Sequence, residues 1–275
     1  MIAERSERVT IAGYFLGTYV VSWTLWAAAA AIAGSTESPP FGIVSGPIFL
    51  IGVFGPSLVA IALTNYSGGR AAVGLLLSQV FRLSVAARWY LFAAGYMMTI
   101  KLTAAVLYRL TSGTWPPFGE EPLYLMAFAI IISTPVQAGE EIGWRGYALP
   151  RLAERLGLGA ASIVLGALWA CWHLPIFFMR GTDSYGQSFP MYLFSVIAIS
   201  VAMAWLYWRT NGSLLLTMLM HAAINNTKDI VPSAAVAASS PFGFNASAIG
   251  VLTILLLWIG AVYFLLRMRC SPSTR

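Results

Sequence analysis

Uncharged stretches long enough to cross a bilayer alternate with short arginine-bearing breaks along almost the whole chain. A hydrocarbon core of about 30 Å needs roughly 20 apolar residues in a helix. The first stretch, Val9 to Thr36, has an apolar body from Val9 to Ala33. A signal-peptide core has only roughly 7–15 residues, so this run predicts a retained helix despite the cleavable-looking Ala31-Ile32-Ala33. Gly13 and Gly17 give it a GxxxG face suited to close helix packing. A second helix is expected from about Ile43 to Leu63, kinked by Pro56. Arg70, Arg82 and Arg88 recur among leucines and valines, the pattern of an amphipathic helix lying on the membrane surface. The third helix, about Trp89 to Tyr108, contains Lys101, read as snorkelling or paired internally. The fourth follows a Gly/Pro-bearing loop, Thr111 to Glu121, and carries Pro135, which interrupts it. Leu156 to Gly159 reads as a turn. Helices are then expected over about Ala160–Phe178, Met191–Trp208, Leu214–Thr227 and Ala246–Leu266, with a loop from Pro232 to Asn245.

Composition sharpens this picture. Only 9% of the 275 residues are charged, 59% are apolar, and the mean hydropathy is +0.76. That is the signature of a multi-spanning membrane protein rather than a soluble domain. Ten Trp and twelve Tyr suit interfacial belts. No stretch is polar enough to form a separate soluble unit, so residues 1–275 read as one membrane-embedded domain. The net charge of +6 fits positive-inside loops and not nucleic acid, because no basic cluster is interleaved with polar surface. Cys171 and Cys270 lie in or beside apolar runs and suggest no disulfide framework. With the N-terminus inside, the inner segments hold 12 arginines against three basic residues, Arg109, Arg180 and Lys228, in the outer loops. That asymmetry places both termini in the cytoplasm and requires an even number of spans. Eight satisfies it, in a multi-pass protein of the cell inner membrane.

Two adjacent carboxylates, Glu140 and Glu141, close the uncharged run from Pro122 to Gly139. An acid at a membrane-helix centre costs roughly 2.5–3.5 kcal/mol, so such residues usually have a function. Glu141 and Arg145 are i,i+4 in the favourable Glu-before-Arg order. Glu140 lies about 100° round the helix, free of that pair. One tethered and one untethered carboxylate suit a site in which one acid organises and the other reacts. Read alone, the stretch is equally an ordinary charged helix end at the cytoplasmic interface.

Both histidines of the chain, His173 and His221, fall inside predicted membrane helices, and none lies in a loop. His173 is seven residues before Arg180 and His221 seven before Lys228, which sets both imidazoles roughly 10 Å below the outer charges. Folding the fourth and fifth helices about Gly157 puts Glu140 and His173 at nearly equal distances, 17 and 16 residues, from the turn. Measured from Glu120 instead, Glu140 lies deeper; Pro135 favours the first reckoning. His221 and Asn225 are i,i+4 and share a helix face. A His–Asn pair supplies two donors suited to an oxyanion, whereas a His–His–Glu set would suit zinc with an open fourth position. A His-Glu-x-x-His motif, a serine nucleophile elbow and a Gly-rich phosphate loop are all absent. Cys171 sits on a different face from His173 and reads as packing.

Glu140-Glu141-x-x-x-Arg145, an aromatic-x-x-x-His from Trp169 to His173, and His221-x-x-x-Asn225 follow one another on successive helices. In this order they resemble the CPBP intramembrane metalloprotease family, which includes the type II CAAX prenyl endopeptidases and bacteriocin-processing or immunity proteins. The resemblance covers about residues 120–230. Trp169 stands where the eukaryotic endopeptidases commonly have Phe, and remains aromatic. The resemblance implies that Glu140 activates water with His173, that His221 and Asn225 stabilise the oxyanion, and that Glu141 and Arg145 support the site. It implies either zinc held by Glu140, His173 and His221 or a metal-free glutamate mechanism.

The expectation is therefore an all-α, eight-helix membrane endopeptidase with a water nucleophile and a peptide or membrane-protein substrate in the lipid bilayer. Two other classes compete with it. One is a non-catalytic immunity or scaffold protein binding a partner at the same place. The other is a transporter using Glu and His as a proton relay, which should show inverted repeats; none is visible.

Overall fold

The computed structural model describes residues 11–34, 42–228, 230–232, 240–244 and 246–269. Its elements are helical throughout: α1 (Ile11–Ala33), α2 (Ser45–Val53), α3 (Gly55–Ser78), α4 (Ala87–Ser112), α5 (Leu123–Ser133), α6 (Ala138–Glu141), α7 (Leu149–Trp172), α8 (Phe189–Arg209), α9 (Leu214–Thr227) and α10 (Ala248–Arg269). Short 3-10 turns cover Gln79–Phe81, Pro135–Gln137 and Leu174–Phe178, and a π-helical turn covers Ile142–Ala148. The all-α membrane architecture expected from the sequence is what folds. Among the described residues, five helical segments, one of them the 44-residue Pro135–Phe178, are long and apolar enough to cross a membrane, or six if the bent α2–α3 pair counts as one span.

Each break has a local cause. The α2–α3 bend of 53° falls at Phe54, just before Pro56, whose nitrogen has no hydrogen to give the preceding turn. Gly69 (φ +69°) then interrupts α3, separating its deeper part from the arginine-bearing piece. The expected surface helix is shorter than Arg70–Arg88: helical structure ends at Phe81, and residues 82–84 and 86 have none. Ser188 caps α8 by accepting from the Met191 N–H, and an Asn211-Gly212 pair with positive φ turns the chain from α8 into α9.

The segment from Pro135 to Phe178 is a hairpin. Trp144 and Trp172 have ring centroids 5.7 Å apart, where a continuous helix would separate them by about 42 Å. Gly157, with φ +74° and ψ 156°, makes the reversal, a conformation an L side chain resists. The turn predicted at 156–159 is therefore real, and it is the one that brings the fourth helical segment back along the fifth.

The α-helix expected to run through His173 to Phe178 stops at Trp172, with His173 as its C-cap. Pro175 explains the stop, since its ring would collide with the carbonyl of Cys171 and it cannot donate to the ladder. The Gly17 side of α1 approaches α3, a Cβ there being 3.3 Å from Val59. Lys101 is buried and donates to the Val231 carbonyl at 3.1 Å, so it pairs internally. Cys171 is half-buried with a free thiol. Arg5, Arg8, Cys270, Arg275 and residues 233–239 and 245 of the expected 232–245 loop lie outside the described residues.

Candidate active site

The acidic pair ends the four-residue α6, directly before the π turn. The two-part break has a visible cause in Ser57 of α3. Its hydroxyl donates to the Ala138 carbonyl at 2.6 Å and accepts from the Gly143 N–H at 3.2 Å. It stands between an i,i+5 pair and opens the ladder there. Gly143 also permits the contact: a Cβ at that position would lie 2.5 Å from the Pro56 carbonyl carbon and 2.6 Å from the Tyr14 hydroxyl. Single-turn π insertions are frequent at functional sites.

Glu140 and Glu141 are both buried, and they face different helices. Oε2 of Glu140 accepts from the Trp169 indole of α7 at 2.7 Å and, at a longer 3.4 Å, from the Trp144 indole. Oε1 of Glu141 accepts from Arg145 at 2.7 Å and lies 2.9 Å from Nδ1 of His221 on α9. The i,i+4 pair read from spacing is thus present, inside the protein rather than at its surface. Arg145 also donates to the sulfur of Met203 at 3.2 Å and sits 4.4 Å from the Trp169 ring centroid. Trp169 touches both halves of the site, bonding one glutamate and stacking on the partner of the other.

The histidine tautomers follow from their acceptors. Nδ1 of His173 lies 2.9 Å from the Trp169 carbonyl, an acceptor only, so Nδ1 carries the hydrogen and Nε2 presents a lone pair. Nδ1 of His221 faces a carboxylate and donates in the same way, so its Nε2 donates only from the imidazolium. The His173 ring is held edge-on by Trp172 (4.7 Å), Tyr192 (5.6 Å) and Trp169 (5.9 Å), while His221 lies 5.2 Å from Trp169. Both imidazoles therefore flank one indole, as the depth argument expected. Glu140 and His221 are electrostatic neighbours of His173. Asn225, one turn beyond His221, is exposed and its amide has no hydrogen-bond partner among the described residues.

Among the described residues no three of His, Cys, Asp and Glu are grouped to hold a metal. Each Nδ1 is bonded to its own acceptor, which leaves Nε2 as the ring nitrogen a metal could take, and one Glu140 oxygen serves two indoles.

Residues 120–227 match the family model described as type II CAAX prenyl endopeptidase Rce1-like. The matched span contains every residue of the cluster. The motif-bearing core is thus similar to the CAAX prenyl endopeptidases over those residues. A CAAX prenyl protease 2 from Methanococcus maripaludis is 24% identical over 230 residues, covering 79% of this chain and 83% of that one.

Within this matched core, sequence reasoning missed three side chains as contacts of the site. Trp144 had a signal, its i,i+4 spacing from Glu140. Trp169 was noted only as an aromatic of the motif and not as a donor. Tyr192 packs on His173 from α8, a contact that no spacing could reveal. The Glu141–His221 bond, joining α6 to α9, was equally invisible.

Proposed function

We propose that this protein is an intramembrane endopeptidase that hydrolyses a peptide bond with a water activated by Glu140. The observation that carries the reading is the division of labour between adjacent carboxylates: Glu141 is held by Arg145 and His221, while Glu140 is held only by indole N–H groups. An indole orients a carboxylate without neutralising it, so Glu140 keeps the capacity to accept a proton.

Glu140 takes one proton from water as the oxygen attacks the scissile carbonyl carbon, and Nε2 of His173 accepts the water's second hydrogen bond. The carbonyl π bond opens to an oxyanion. His221, in the form that carries a hydrogen on Nε2, and the free amide of Asn225 supply donors to it; one such donor is worth roughly 2.7–4 kcal/mol. The intermediate collapses when the proton held by Glu140 passes to the leaving nitrogen, directly or through His173, and the C–N bond breaks.

Zinc is the alternative reading for the same donors, through Nε2 of His173 and His221 with a Glu140 oxygen, and would need their rearrangement. We place the protein in the cell inner membrane with both termini cytoplasmic, as one domain acting on a peptide or membrane-protein substrate. The test compares membranes carrying wild-type and Glu140→Gln protein at equal abundance by proteomics. A precursor that accumulates only in the variant supports hydrolysis. A phenotype rescued equally by both would favour a binding or immunity protein.

A further inference from the structure

Away from the glutamate site, the first turn of α4 and the last turns of α8 and α10 end together in exposed arginines. Arg88 lies 5.2 Å and Arg209 5.7 Å from the centroid of one indole, that of the buried Trp89. Trp89 packs on Trp205 at 5.2 Å, and Trp205 stacks on Phe264 of α10 at 4.5 Å. Arg267 and Arg269 follow Phe264 within five residues, Arg267 lying 5.2 Å from the neighbouring Tyr263 ring. Four cations thus border one aromatic wall.

None of these four arginines forms an ion pair among the described residues. Among the described residues, Glu120 and Glu121 follow the opposite end of α4 and Asp183 pairs with Lys228, while Glu154, before the Gly157 turn that leads to the Gly159–Leu265 contact, forms no ion pair with any of the four arginines. Two guanidinium groups over one indole are each attracted to the ring but repel one another, and an anion between them would relieve that repulsion. Directly along the helices from the cations, Leu91, Val262 and Leu266 are 75%, 50% and 54% exposed. A headgroup-sized cluster of positive charge therefore sits at the edge of an acyl-chain-sized apolar flank.

We infer that the ends of α4, α8 and α10 bind the phosphodiester of an anionic phospholipid between Arg88 and Arg209, with its acyl chains along the adjoining apolar flank. Guanidinium suits phosphate because its planar fork offers paired donors, and basic pockets between membrane helices take up such headgroups. The indole of Trp89 fixes the two side chains beforehand, which lowers the ordering cost on binding.

The test is native mass spectrometry of the full chain released from detergent, with phosphatidylglycerol or phosphatidylcholine added at equal concentration. Retained phosphatidylglycerol should exceed phosphatidylcholine, and the excess should shrink as ionic strength rises. Each basic residue near such a headgroup is worth about 1 kcal/mol, or about 5-fold in affinity. Arg88→Gln/Arg209→Gln should therefore weaken phosphatidylglycerol retention by roughly 25-fold, and Arg88→Lys/Arg209→Lys by only about 3-fold. Equal retention of the two lipids, or unchanged retention in the Gln variant, overturns the inference. So does displacement of the lipid by inorganic phosphate in excess, which would mark a soluble-anion site. Should the Gln variant not fold, the Lys variant and the wild-type salt dependence decide alone: loss of preference with Lys, or none of the expected salt effect, counts against the site.

Discussion

Replacing Glu140 and Glu141 separately by Gln should produce opposite phenotypes. Glu141 shares an oxygen between Arg145 at 2.7 Å and His221 at 2.9 Å, and the side chains of Glu141 and Arg145 are fully buried. Glu141→Gln leaves the Arg145 guanidinium without its hydrogen-bonded counter-charge. Removing one partner of a buried ion pair costs about 3–5 kcal/mol, against a typical total stability of roughly 5–15 kcal/mol. The melting temperature should fall on the order of 10 °C. Glu140 has no hydrogen-bonded cation, and a Gln oxygen can still accept from Trp169, so Glu140→Gln should stay within about 1 kcal/mol of wild type. Its cost appears in turnover, where loss of a general base removes roughly 10²–10⁴-fold. The assays are tryptophan-fluorescence melting in detergent and cleavage of a reconstituted substrate, at matched expression. An inactive Glu141→Gln protein with native melting, beside an active Glu140→Gln protein, would exchange the two roles and refute the reasoning.

Asn225→Ala should lower kcat by about 10²–10³-fold as loss of one oxyanion donor, with unchanged melting because the side chain is exposed and unbonded among the described residues. Gly143→Ala should destabilise by at least about 1–3 kcal/mol, since the added methyl meets the Pro56 carbonyl at 2.5 Å; a thermal melt checks it. Chelator-treated protein is expected to keep its activity, because the donors form no ligand set among the described residues. Stoichiometric zinc by elemental analysis, lost together with activity in His173→Ala, is the contrary result. Reporter fusions should place both termini in the cytoplasm, and either terminus outside rejects the eight-span topology.

The helices were legible because hydrophobic runs and proline or glycine punctuation act locally. Gly157 and Pro135 do break the helices, and folding about Gly157 is enough to set Glu140 against the limb that carries His173. The Glu141–Arg145 pair was legible for the same reason, being an i,i+4 interaction. What spacing misjudged was environment. Arg145 counted as an inner-loop charge, yet it is fully buried; removing it leaves 11 against three (12 − 1 = 11) and the asymmetry stands. The end of α7 at Trp172 was also missed, although Pro175 marks it, because the apolar run continues past the break. Contacts between distant helices, such as Glu141 with His221 and Tyr192 with His173, leave no periodic trace and needed the fold.

The adjacency of the two glutamates is itself a consequence of helix geometry. Successive residues diverge by about 100°, so one short helix can offer a carboxylate to each of two neighbours. Glu140 turns to α7 and meets Trp169; Glu141 turns to α9 and meets His221. Each also has an i+4 companion on the π turn, Trp144 for the first and Arg145 for the second. The companions differ in kind, and the proposed separation of roles rests on that difference. An indole donor fixes position and leaves the charge available to take a proton, whereas a guanidinium compensates the charge and commits it to structure. On the proposed mechanism that contrast assigns the base to Glu140, and Ser57 and Gly143, which meet at the π turn, hold both companions in register.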